Sequence, residues 1–144
     1  MKKKAREIAF LTLFQSEFTQ PLTINHLLDL FESDLPAAAV ADIETLVEGV
    51  RTSLTKIDER IQASSQNWNV SRLSSVDRTI LRLAVYEMIF SPHRLDAALV
   101  INEAIELAKK FGTEQSSQFV NGVLDKLVPA AKRRGKSSTP PGEA

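Results

Sequence analysis

Lys2, Lys3, Lys4 and Arg6 put four cations into the first six residues with no acid among them. A short run of one sign is suited to attracting the phosphates of a polyanion. The run leads into the amino end of a predicted helix, where cations oppose the helix dipole and repel one another. An anionic partner would give that placement a purpose; the alternative is that these lysines are simply solvated. A second cluster, Lys132, Arg133, Arg134 and Lys136, stands near the other end. Between the clusters lie ten basic residues against seventeen acids, because only Glu143 falls outside that span. The formal net charge of zero therefore conceals an acidic body with two basic ends, the asymmetry expected of a protein that meets nucleic acid along one edge.

The residues that usually carry catalysis are missing or isolated. There is no GxxxxGK[ST] loop, no HExxH and no glycine fingerprint after a strand. Cysteine is absent, which excludes thiolate nucleophiles, disulfides and thiolate metal sites. His26 and His93 stand alone near predicted helix boundaries and read as capping or surface residues rather than metal ligands. Glu103 and Glu106 read as ion-pair partners of Lys110 and its neighbours. These features predict a binding protein that needs no cofactor or metal, not an enzyme.

The rest of the chain must form the scaffold for that basic edge. At 144 residues and 43% hydrophobic it is long enough to bury a core without staples. Apolar residues recur at helical spacing nearly throughout, and nothing reads as a strand. A first helix is predicted from about Lys3 to Thr19, with Ile8, Leu11, Phe14 and Phe18 on one side and Phe10 and Leu13 widening the stripe. Gln20-Pro21 ends it. A short helix follows from about Thr23 to Glu32, then a break at Asp34-Leu35-Pro36. Val40, Ile43, Val47, Val50, Leu54, Ile57 and Ile61 alternate at spacings of three and four, a seam of about six turns. It suits the inward stripe of a bundle helix, or a coiled-coil partner surface.

Residues 64–75, SSQNWNVSRLSS, read as a connection between two halves of about 1–66 and 72–131, because Ser and Asn compete with helix for backbone hydrogen bonds. Trp68 is expected to anchor this connection, its indole paired with an acceptor. A helix over Ser75–Phe90 is apolar nearly all round and so predicted to be central. Asp96–Phe111 forms the next, with Gly112 as a left-handed cap and Thr113 capping a last helix through Val128. Gly122 inside that helix suggests a closely approaching neighbour. Residues 132–144 are basic and Pro-rich and are expected to be disordered. No run is apolar and long enough to span a membrane and no leader is apparent, which predicts a cytoplasmic protein.

Several blocks resemble the NusB family. KKKAREIAFLTLF (Lys2–Phe14) is similar to the family's opening, Asn67-Trp68 with SRLSSVDRTILRLAVYEM (Ser71–Met88) to its central helix, and VINEAIELAKKFG (Val100–Gly112) with FVNGVLDKL (Phe119–Leu127) to its carboxyl half. They occur in family order and spacing over nearly residues 1–128. The resemblance implies an all-α fold of two packed three-helix bundles and a role in transcription antitermination. It implies pairing with the small-subunit ribosomal protein that doubles as NusE, and binding of the boxA element of nascent RNA within the elongation complex, notably in ribosomal RNA operons. RNA contacts carried over by position are Lys2, Lys3, Lys4 and Arg6 in the arm, with Phe14, Gln115 and Phe119. Candidates for the NusE side are Asp77, Arg78 and Glu87, for which intramolecular ion pairing is the competing role.

The chain departs from the family pattern in three ways. Its arm is lysine-rich where arginine is usual, which removes the planar fork that grips phosphate bidentately. Phe14 replaces a common tyrosine, and Gln115 stands where an acid often sits. Two other readings fit the same sequence: an accessory RNA-binding domain of the kind fused to RNA-modifying enzymes, and a homodimeric structural adaptor.

Overall fold

Helical periodicity in the sequence becomes helix in a computed structural model that describes residues 3–18, 24–30 and 34–128. No strand occurs among the described residues, and none of their helices is long and apolar enough to cross a membrane. The chain divides into two compact units, one ending at Thr52 and one beginning at Ser53.

The first unit holds α1 (Lys3–Gln15), α2 (Ile24–Leu30) and α3 (Ala37–Thr52), each packed on the other two. α1 buries Ala5, Ile8, Ala9, Phe10 and Leu13, α2 buries Ile24, Leu27 and Leu28, and α3 buries Ile43, Leu46, Val47 and Val50. The inward face of α1 therefore runs through Phe10 and Leu13, while Leu11 and Phe14 are half-buried and Phe18 is 60% exposed. The stripe expected through Leu11, Phe14 and Phe18 is rotated toward solvent. α1 ends by tightening: Glu17 N donates to Phe14 O and Phe18 N to Gln15 O, while the Ser16 hydroxyl satisfies Leu13 O at 2.7 Å.

The second unit holds α4 (Leu54–Ala63), a 3-10 turn at Val70–Arg72, α5 (Ser75–Val85) running into a π-helical turn (Tyr86–Phe90), α6 (Ala97–Phe111) and α7 (Ser116–Leu127). α5 packs on α4, α6 and α7, the central place that its all-round apolar character predicts. Its amino end is capped by Ser74, whose hydroxyl accepts from Asp77 N at 3.1 Å.

The seam read as one long helix is two. Ser53 lies at φ −98°, ψ 10°, a sparsely used backbone region that opens the helix for one residue. The ladder resumes at once, with Ile57 N donating to Ser53 O at 2.9 Å. Ile43, Val47 and Val50 are buried in the first unit, and Ile57 and Ile61 in the second. The later half of the seam packs with α5 and α7, which gives the second unit four helices. The Ser- and Asn-rich stretch 64–75 lies inside this unit. α4 and α5 are tied by a bidentate pair, Arg82 Nε to Asp58 Oδ1 at 2.9 Å and Nη2 to Oδ2 at 2.8 Å.

Both glycine expectations are corrected. Gly112 has φ −97° and ψ −166°, an extended backbone and not a left-handed one. It is required for space: a Cβ there would meet Ser116 Oγ at 2.4 Å and Ala108 O at 2.9 Å. Buried Ser116, rather than Thr113, supplies the hydroxyl at this corner, accepting from Thr113 N at 3.0 Å. Gly122 has nothing within 4 Å of its Cβ position and lies on the exposed face of α7, so no helix approaches it among the described residues.

Candidate nucleic-acid interface

The candidate RNA-contacting residues divide between the two units. In the first, Lys3 and Lys4 open α1 and are exposed; Lys2 lies outside the described residues. Lys4 Nζ stands 3.9 Å from Glu7 Oε1, with the lysine side chain 49% exposed and the carboxylate 8%. A pair of that length on a half-exposed lysine leaves its charge available to a polyanion. Arg6 is different: it is only 3% exposed, so its guanidinium belongs to the interior and the lysines present the charge.

Phe14 sits in the middle of an aromatic ladder along α1. Its ring stacks on Phe10 at 5.8 Å and 18°, and meets Phe18 edge-on at 5.1 Å and 64°. The four-residue spacing puts all three rings on one side of the helix. The ladder runs from a fully buried ring to an exposed one, so Phe14 is held by its neighbours while part of it reaches the surface.

In the second unit, Gln115 is exposed at the start of α7 and Phe119 lies one turn further on, half-buried. Phe119 meets the edge of Trp68 with centroids 5.5 Å apart and planes at 67°. The loop that carries Trp68 is braced from both sides. Gln62 of α4 donates from Nε2 to Trp68 O at 2.8 Å and accepts Val70 N on Oε1 at 2.9 Å. Arg78 of α5 donates from Nη1 to the carbonyls of Val70, Ser71 and Leu73 at 3.4, 3.3 and 2.9 Å. Trp68 does pack as an anchor, through its ring contact with Phe119 and its backbone carbonyl, but the acceptor expected for its indole N–H is not found among the described residues. Tryptophan content alone could not reveal that; its polar neighbours in sequence were the available signal.

The partner candidates occupy the two ends of the central helix. Asp77 and Arg78 sit in its first turn, and Glu87 lies in the π-helical turn at the other end. Asp77 Oδ1 is buried with no hydrogen-bond partner among the described residues. Arg78 is occupied by the 70–73 loop, and Glu87 is 5% exposed. Among the described residues no group of three His, Asp or Glu is placed to hold a metal ion.

An exposed lysine pair at a helix start, a graded aromatic ladder and a braced tryptophan loop together suit a nucleic-acid-binding scaffold. The sequence matches the NusB family over residues 3–129. The chain belongs to that family. It is 43% identical over 126 residues to the transcription antitermination protein NusB of Bdellovibrio bacteriovorus, covering 88% of this chain and 93% of that one. The fold is similar to T. maritima NusB, with a TM-score of 0.74, 35% identity and coverage of 92% of this chain and 96% of the other. It is also similar to a chain in the crystal structure of antitermination factors NusB and NusE in complex with double-stranded RNA, with a TM-score of 0.73, 28% identity and coverage of 87% and 93%.

Proposed function

We propose that this NusB-family chain is a non-enzymatic, cytoplasmic RNA-binding transcription antitermination factor. It pairs with the ribosomal protein NusE and binds boxA RNA within the elongation complex, notably on ribosomal RNA operons. The observation that carries the RNA side is the exposed Lys3–Lys4 start of α1, mounted on a helix that buries Ala5 to Phe10, Thr12 and Leu13. Lys2, Lys3 and Lys4 supply phosphate attraction, and buried Arg6 acts by setting the root of the arm. Phe14, Gln115 and Phe119 add contacts of higher selectivity. Likeness to a NusB bound to NusE and double-stranded RNA supports both partners.

Of the three candidates for the NusE side, Asp77 is favoured. A buried carboxylate oxygen without a donor is costly, and a donor from a docked protein would relieve it. Arg78 instead holds the 70–73 loop, and Glu87 is buried in the π-helical turn.

The test is a gel-shift comparison of the chain alone, with NusE, and with NusE on a scrambled RNA. Tighter binding to boxA only when NusE is present is the expected result. Equal retention of boxA and scrambled RNA with NusE present would overturn the antitermination assignment.

A further inference from the structure

We propose that Trp68 is a base-stacking residue: an unpaired RNA base lies against its indole, beside Phe119. The inference rests on the RNA-binding reading above and names a contact outside the set carried over from the family.

Four observations lead to it. First, Trp68 is half-buried, and its ring is fixed by the edge-on contact with Phe119 at 5.5 Å, which leaves part of the indole at the surface. Second, no hydrogen bond of the indole N–H is found among the described residues, and Trp68 is only half-buried, so the surface offers an aromatic ring that carries a donor. Third, Gln62 holds the backbone on the carboxyl side of the tryptophan, at Trp68 O and Val70 N, and Arg78 holds the following turn, so a base would meet a braced platform at little ordering cost. Fourth, the surrounding charge is unlike that of the rest of the body. Residues 60–76 contain Arg60 and Arg72, both exposed, and no acid, although the chain between its basic ends has an excess of carboxylates.

Asn67 and Asn69 flank the tryptophan and are exposed, and Gln118 is exposed next to Phe119. Amides of this kind can read base edges, while a carboxylate at the same place would repel the phosphates. Glu114, just before α7, and Asp125, near its carboxyl end, are the exposed acids of this segment, five and six positions from Phe119. A protein partner would suit a larger apolar surface than one half-buried aromatic pair ringed by amides, so a nucleobase is the occupant that fits.

The chain contains one tryptophan, which makes the contact directly visible. The experiment titrates the full-length protein, with NusE present, with a single-stranded boxA RNA and separately with inorganic polyphosphate, following indole fluorescence. RNA is expected to quench it saturably, and polyphosphate, which has charge but no bases, is expected to bind without quenching. Trp68→Ala should weaken RNA binding by roughly 5- to 150-fold and leave the slope of log affinity against log salt unchanged. Trp68→Phe, which keeps a ring for Phe119 and for a base, should recover most of the loss, and guards against a folding defect in the alanine variant.

RNA binding without quenching, or Trp68→Ala binding RNA as tightly as the unaltered chain, overturns the stacking role while leaving the RNA-binding reading intact. Loss of NusE binding in Trp68→Ala with RNA binding unchanged would assign the platform to a protein partner and also overturn it. No retention of RNA by the unaltered protein with NusE would sink both.

Discussion

The amino end of α1 and the Trp68 loop are built on opposite principles. The first presents exposed Lys3 and Lys4 at the start of a largely buried helix, with Lys4 Nζ 3.9 Å from Glu7 Oε1. Its attraction for a polyanion is long-ranged, indifferent to sequence and weakened by salt. The second is neutral at its tip, where Gln62 and Arg78 donate to the carbonyls of Trp68, Val70, Ser71 and Leu73 and Gln62 Oε1 accepts from Val70 N. Its contribution would be short-ranged and insensitive to salt. One region depends on charge and tolerates changes of shape; the other depends on geometry and tolerates changes of ionic strength.

Removing the charge should have the largest effect. Replacing Lys2, Lys3 and Lys4 together by Ala should weaken RNA binding about 100-fold at 0.1 M salt, from three lost contacts at about 0.7 each in the log–log slope. Melting temperature should stay within a degree or two, because Lys3 and Lys4 are exposed. A large fall in melting temperature would show that the arm is structural.

Geometry should respond in the opposite way. Gly112→Ala drives a Cβ against Ser116 Oγ at the corner leading into Gln115 and Phe119. It should cost about 1–3 kcal/mol of stability by chemical denaturation while the salt slope of RNA binding stays the same. Gln62→Ala removes three hydrogen bonds from the Trp68 loop, one of them long at 3.4 Å, and should cost about 1–2 kcal/mol. It should also blue- or red-shift tryptophan emission, whereas the lysine variants should leave the emission of the RNA-free protein unchanged. Gly122→Ala is the smallest and has the reverse sign. With open space at the Cβ position, it should stabilise the protein by up to about 1 kcal/mol.

Much of this was legible in the sequence where periodicity carries the information. The seam from Val40 to Ile61 buries Ile43, Val47, Val50, Ile57 and Ile61, and the apolar segment at 75–90 takes the central place in its unit. What was not legible depends on neighbours distant in sequence. Arg6 stands among three lysines in the chain, yet it is buried, because the face a residue occupies is set by how α1 rolls onto its neighbours. The break at Ser53 gives no proline or glycine signal at that position. Gly112 and Gly122 were assigned the wrong reasons, since a glycine in a sequence does not say whether torsion, space or neither demands it. Among the site residues, Gln115 and Phe119 came from resemblance alone, and the part played by Trp68 needed its pairing with Phe119 across 51 positions. The expected tail from 132 to 144 lies outside the described residues.

The central claim is that a lysine-bearing helix start draws RNA to a rigid helical scaffold. Its most direct test is the affinity of the unaltered protein for single-stranded RNA across salt concentrations, beside the triple lysine variant. The account predicts a log–log slope of about −2 to −3 for the unaltered protein and a slope near zero to −1 for the variant. Two parallel lines would contradict it.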